Sequence, residues 1–120
     1  MMRKAHTAGG FTLIEIIIAI FIVTVAFSGI MAVTAMVING NALSKEITTA
    51  TTIAQNRMET LKKTPYTSLS GGSQTESIYT TTWTVTPNSP QADMSTVQVV
   101  TGWTRGTKAH NVTLHMIIAR

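Results

Sequence analysis

Gly9-Gly10-Phe11-Thr12-Leu13-Ile14-Glu15 leads into Ile16 to Ile38, a long run without a single charge. A helix rises about 1.5 Å per residue and a bilayer hydrocarbon layer is about 30 Å thick, so about 20 such residues suffice to cross it. Thr24, Ser28, Gly29 and Thr34 are tolerable within the run. Hydroxyls can bond back to their own helix, and small residues let neighbouring helices approach. Arg3 and Lys4 precede the span and the next positive charge is Lys45. That asymmetry predicts a cytoplasmic N-terminus and a head on the far side of the membrane.

A basic start followed by an apolar run also describes a secretory signal peptide. Its apolar region, however, usually extends over about 7 to 15 residues and ends in a small-x-small cleavage site. This run is longer, and Glu15 stands at its entrance. An acid there is costly unless it is paired or sits at the interface. No lysine or arginine lies within four residues to serve it along the helix. Its counter-ion must come from another chain, from a newly made N-terminus or from interfacial water. The plainer alternative is a glutamate that snorkels to headgroups, with Phe11 as an interfacial aromatic.

The segment Gly9 to Glu15, with its short basic leader and apolar continuation, resembles the type III signal of type IV prepilins and type II secretion pseudopilins. The resemblance implies that a membrane prepilin peptidase cuts after Gly10 and that the exposed Phe11 is N-methylated. It implies that Glu15 is the assembly residue, pairing with the N-terminal ammonium of a neighbouring subunit. In a low-dielectric filament core each charge pays a desolvation cost that mutual pairing offsets, so pairing would set subunit register.

Beyond the span, Leu43, Ile47, Ala50, Ala54, Met58 and Leu61 recur at helical spacing, while Lys45, Thr49, Thr52, Asn56, Glu59 and Lys63 fall on the opposite face. The pattern predicts an amphipathic continuation of the same helix, with its stripe packed inside the molecule. Asn39-Gly40-Asn41 is its weak point, where a bend or local melting is expected. Lys62 and Lys63 complement the C-terminal dipole and Thr64-Pro65 ends the helix.

Residues 65–74, with Gly71-Gly72, read as an irregular connection. Three strands are then predicted. Ser77 to Thr86 carries Tyr79, Thr81, Trp83 and Val85 on one face; Ser95 to Thr104 carries Val97, Val99, Thr101 and Trp103; Asn111 to Ala119 carries Val112, Leu114, Met116 and Ile118. Turns at 88–93, containing Pro90, and at 105–109, containing Gly106, make a three-stranded antiparallel meander the simplest topology. The expected fold is therefore α+β and pilin-like: a long N-terminal helix, transmembrane in its first half, packed on a small sheet. Its divisions are a cleaved leader 1–10, a transmembrane and assembly segment 11–38, an amphipathic helical segment 39–63 and a β head 64–120. A head this small, without cysteine, has no disulfide to stabilise it and needs the helix to complete its core.

The tract Ala54-Gln55-Asn56-Arg57-Met58-Glu59-Thr60-Leu61, with Val100-Thr101-Gly102-Trp103 and Asn111-Val112-Thr113-Leu114, is similar to PilV-like minor pilins and to the I-type minor pseudopilin. The C-terminal cysteine pair and larger head of many major pilins, and the calcium loop of the major pseudopilin, have no counterpart here. The resemblance thus implies a minor pilin or pseudopilin that helps initiate or cap a type IV pilus (a fimbrium) or a type II secretion pseudopilus. Its partners would be other pilin or pseudopilin subunits, the prepilin peptidase and the inner-membrane assembly platform. It would begin as a single-pass inner-membrane protein with a periplasmic head and end in the filament. A small major pilin, or a signal-anchored envelope protein with a binding head, remain the alternatives. Motility, secretion and DNA-uptake filaments share this signal.

Composition points away from catalysis. The formal charge of +4 falls to +2 once Arg3 and Lys4 are removed with the leader, and so small a surplus calls for no acidic partner. His110 and His115 are an odd number apart and face opposite ways on one strand; His6 lies in the leader. The five acids are scattered, with only Glu76 and Asp93 in the head, and neither Gly-x-Ser-x-Gly nor a P-loop occurs. No enzyme, metal or cofactor is expected. Trp83 and Trp103 beside Arg105 and Lys108 suggest stacking on a nucleic acid, but alternation assigns both rings to the core, so no nucleic-acid partner is expected. Replacing Gly10 with valine should block leader removal, which intact-mass measurement reads as a chain that keeps its N-terminal leader.

Overall fold

The computed structural model describes residues 9–120; Arg3, Lys4 and His6, like most of the expected leader, lie outside the described residues. The chain is α+β. Helix α1 covers Leu13–Lys63, 51 residues, and a short 3-10 turn at Tyr66–Ser68 leads to strands β1 (Gly72–Glu76), β2 (Tyr79–Pro87), β3 (Met94–Arg105) and β4 (Lys108–Ala119). The strands form one antiparallel sheet in the order β1-β2-β3-β4. By its contacts the chain divides into a first unit ending at Asn41 and a second, Ala42–Arg120.

In the first unit every large apolar side chain from Leu13 to Ile38 is exposed. The helix is long and apolar enough to cross a membrane. The expected back-bonding of hydroxyls is present: Thr24, Ser28 and Thr34 donate to the carbonyls of Ile20, Thr24 and Ile30 at 2.7, 2.8 and 2.9 Å. Local melting at Asn39-Gly40-Asn41 does not occur, since all three residues are helical. One glycine costs a helix only about 1 kcal/mol, which long helical flanks on both sides outweigh.

The second unit holds the core. Ala50, Ala54 and Leu61 on α1 are buried, as are Tyr79, Val97, Val99 and Trp103 on the sheet. Ala54 and Leu61 pack with Val97 and Val99, bordered by Met58, Trp83, Val85, Leu114, Met116 and Ile118. Ala50 packs with Tyr79 and Trp103, bordered by Leu43, Ile53 and Val112. Alternation predicts these strand faces, and burial follows it residue by residue. The helix stripe differs at one point. Ile47 is 43% exposed, at the margin of the buried stripe, while Glu46 and Ile53 are partly buried. The helical repeat drifts off any fixed 4-3-4 spacing, and the sheet meets the helix along that drifting line.

The sheet has four strands where three are expected. Residues 72–76 pair with β2 from Gly72↔Trp83 to Glu76↔Tyr79, so the supposed connection contains β1 and its turn is Ser77-Ile78. β2 accordingly starts at Tyr79 rather than Ser77. Gly-Ser-Gln-Thr-Glu has no apolar alternation to read, because β1 is an almost wholly exposed edge strand. Its support is the ladder and two hydroxyl contacts at 3.3 Å, Ser73 with Thr82 and Thr75 with Thr80. Gly72 is required by a neighbour: a Cβ there would lie 2.6 Å from Cζ2 of Trp83. β4 begins at Lys108 rather than Asn111, because Gly106, at φ +60°, and Thr107 make a two-residue turn.

Ala54 is fully buried against Val97 and Val99. Ala54→Leu should therefore overpack this layer and destabilise the head by about 1 to 3 kcal/mol, read as a lowered thermal midpoint of the detergent-solubilised chain.

Candidate functional site

The candidate processing and assembly residues occupy the start of α1. Gly9 to Thr12 are non-helical and exposed, and the helix begins at Leu13, two residues later than the expected Phe11. Thr12 is the reason. Its carbonyl accepts from the Glu15 and Ile16 N–H groups at 3.1 and 3.2 Å, and its Oγ1 accepts from Glu15 N–H at 3.3 Å. A threonine cap followed three residues later by glutamate matches the capping-box spacing, and an acid in the first turn suits the positive end of the helix dipole. Thr12-Leu13-Ile14-Glu15 carries that signal in the sequence, and it gives Glu15 a local role beside the expected one.

Phe11 is 80% exposed and Gly10 has nothing within 4 Å of a built Cβ, so the Gly10–Phe11 bond lies on an open segment. Glu15 is exposed and has no ion pair among the described residues. Gly10, Phe11 and Glu15 thus share one short region, the first two just ahead of α1 and the third in its first turn, where the apolar surface is uncovered.

Glu46 meets a different environment. One carboxylate oxygen accepts from Trp103 Nε1 at 3.0 Å and the other lies 3.7 Å from Arg105 Nε. His110 stacks on the Trp103 indole at 5.5 Å, and Tyr79 packs tilted on it at 5.8 Å. The sequence reading overlooked Glu46. The available signal was an acid at stripe spacing, three residues after Leu43 and four before Ala50, where only a partner on the sheet makes it tolerable. Trp83, the other indole, donates to the Ser70 carbonyl at 3.0 Å beneath the Arg57 guanidinium, 4.2 Å from the ring centroid. Both tryptophans lie on the helix-facing side of the sheet, as alternation predicts.

His110 and His115 do fall on opposite faces, partly buried and exposed respectively. Among the described residues no three His, Cys, Asp or Glu side chains gather. Lys63, 2.8 Å from Glu59, holds that carboxyl below the usual range through a hydrogen bond and its charge. The effect favours the folded helix at neutral pH and disappears as pH falls through the lowered value. Both groups are well exposed, so the pair is a minor feature.

No protein-family model, curated protein or solved structure matches this chain.

Glu46→Ala should leave the Trp103 N–H inside the core without its acceptor and cost about 1 to 3 kcal/mol. The thermal midpoint and near-ultraviolet circular dichroism of the tryptophans read the loss. Glu15→Ala, outside the second unit, should leave both signals of the head unchanged.

Proposed function

We propose that this chain is a minor pilin or pseudopilin, a structural subunit that helps initiate or cap a type IV pilus or a type II secretion pseudopilus. One observation carries the proposal. A carboxylate without an ion pair among the described residues, Glu15, stands in the first turn of an uncovered apolar helix, four residues beyond Phe11 and its exposed bond to Gly10. The helix and sheet of the second unit are consistent with a pilin-like head, though with four strands.

The mechanism follows from charge. Cleavage after Gly10 creates an ammonium on Phe11, and N-methylation retains its charge. A cation at the positive end of its own helix is unfavourably placed, while Glu15 is favourably placed there. A neighbour displaced along the bundle can bring its Phe11 ammonium to this Glu15, and apolar helices around the pair raise the energetic value of that match. Gly29, with open space around it, allows close approach of a second helix. The subunit starts in the inner membrane with its head in the periplasm, and the assembly platform draws it into the filament. The head acts in packing and recognition rather than catalysis, and no cofactor is assigned.

A signal-anchored envelope protein is the second reading. The place of Glu15 in the first turn favours it, because an acid at the positive end of the helix dipole stabilises the helix start without any filament. N-terminal sequencing of the mature chain separates the two: N-methylated Phe11 supports the subunit, whereas an intact Met1 supports the anchor. Glu15→Ala should be processed normally yet incorporated at least tenfold less into filaments by immunoblot. Wild-type incorporation would contradict the pairing.

A further inference from the structure

Among the described residues both edges of the sheet are open: β1 hydrogen-bonds only to β2, and β4 only to β3. β4 pairs with β3 continuously along its whole length, from Met94↔Ala119 to Arg105↔Lys108, so no bulge turns it away, and it contains no proline. An edge of this kind is a template for another strand unless something blocks it.

Strand direction selects the partner. Four antiparallel strands in sequential order leave β1 and β4 running in opposite directions, so the β1 edge of a laterally shifted copy meets β4 antiparallel. Three strands would instead have left parallel edges. Antiparallel pairing of β4 with another β4 needs a half-turn about the sheet normal, which reverses any helix lying along the sheet face. Ala50, Ala54 and Leu61 bury three turns of α1 against that face. Heads whose helix segments 42–63 run the same way can therefore join β1 to β4, but cannot join like edges in the antiparallel sense.

Charge makes the same selection. β1 has one ionisable residue, Glu76, and β4 has Lys108, His110 and His115 with no acid. Like edges would face like charges, whereas unlike edges bring Glu76 toward the basic strand. Register follows from the ladders, since Thr75, Thr80, Gly102 and Asn111 form one row and Ser73, Thr82, Val100 and Thr113 another. A shift along these rows sets Thr75 opposite Asn111 of the next copy, and Ser73 opposite its Thr113.

The geometry points to a second copy of this chain as the occupant: β1 of one head adds antiparallel to β4 of another, over no more than the length of β1. The inference rests on the co-oriented subunit proposed above and concerns a lateral neighbour, distinct from the axially displaced one whose ammonium meets Glu15.

The native chain has no cysteine, so disulfide trapping in membranes is clean. Full-length Thr75→Cys and Asn111→Cys chains produced together should give a doubled-mass product on mild oxidation, at least fivefold above either variant alone. Glu76→Lys in the Thr75→Cys chain should reduce that product severalfold, and Lys108→Glu in its partner should restore it. No excess in the mixture, or an equal product from Asn111→Cys alone, overturns the inference. Mature N-terminal analysis of the same membranes reads the subunit assignment separately, so a chain that begins at Phe11 yet gives no mixed product refutes the edge contact and leaves that assignment standing.

Discussion

The head depends on a strip of small side chains pressed against a sheet. Ala50 and Ala54 are fully buried and put no bulk between the helix and the sheet, so Val97 and Val99 close onto Ala54 and Leu61, with Met58 at the border. No disulfide or metal ligand cluster is needed among the described residues for this layer to form, but the sheet without the helix would leave its inner face uncovered. The one polar pair in the middle, Thr81 opposite Thr101, satisfies itself with a 3.0 Å hydrogen bond. A buried hydroxyl without a partner would weaken the layer, and two facing each other avoid that cost.

One helix serves two environments through its side chains alone. From Leu13 to Ile38 its apolar residues are exposed all round, a surface suited to lipid or to other helices. From Leu43 onward it is amphipathic, with charge outward and alanine inward. Its two informative acids divide in the same way. Glu46 has an indole N–H and a guanidinium beside it, whereas Glu15 has no ion pair among the described residues and stands at the start of its own helix. An acid satisfied within its own head stabilises a fold; an acid left open at the start of an apolar helix is available to a neighbour. The proposed subunit role rests on that difference.

Periodicity made much of the fold legible. The amphipathic continuation and the inward faces of β2, β3 and β4 are readable because burial repeats with the helical turn or with the strand's alternation and leaves its mark in residue type, while the apolar run before them is readable from its lack of charge. β1 was not readable, because an exposed edge strand of glycine and polar residues has no buried face to mark it. The start of α1 falls beyond the expected residue although Thr12 and Glu15 spell the cap, since a run of isoleucine says nothing about where its first hydrogen bond forms. In the candidate site, the roles expected of Gly10, Phe11 and Glu15 come from the resemblance of residues 9–15 to a prepilin signal, and the structure adds that all three are exposed near the start of α1. Glu46 was not legible, since its acceptor role exists only once Trp103 and Arg105 arrive from far along the chain.

The amino-acid order therefore determined by itself which segments are apolar, which faces turn inward and where a charge interrupts the oil, because these are properties of a residue and its near neighbours. Tertiary structure alone decided the number of strands, the directions of the two open edges, the fit of the Trp83 ring over Gly72 and the partner of Glu46. Those depend on backbone ladders and long-range approach, and a hydrogen bond between distant strands has no local signature in the chain that makes it.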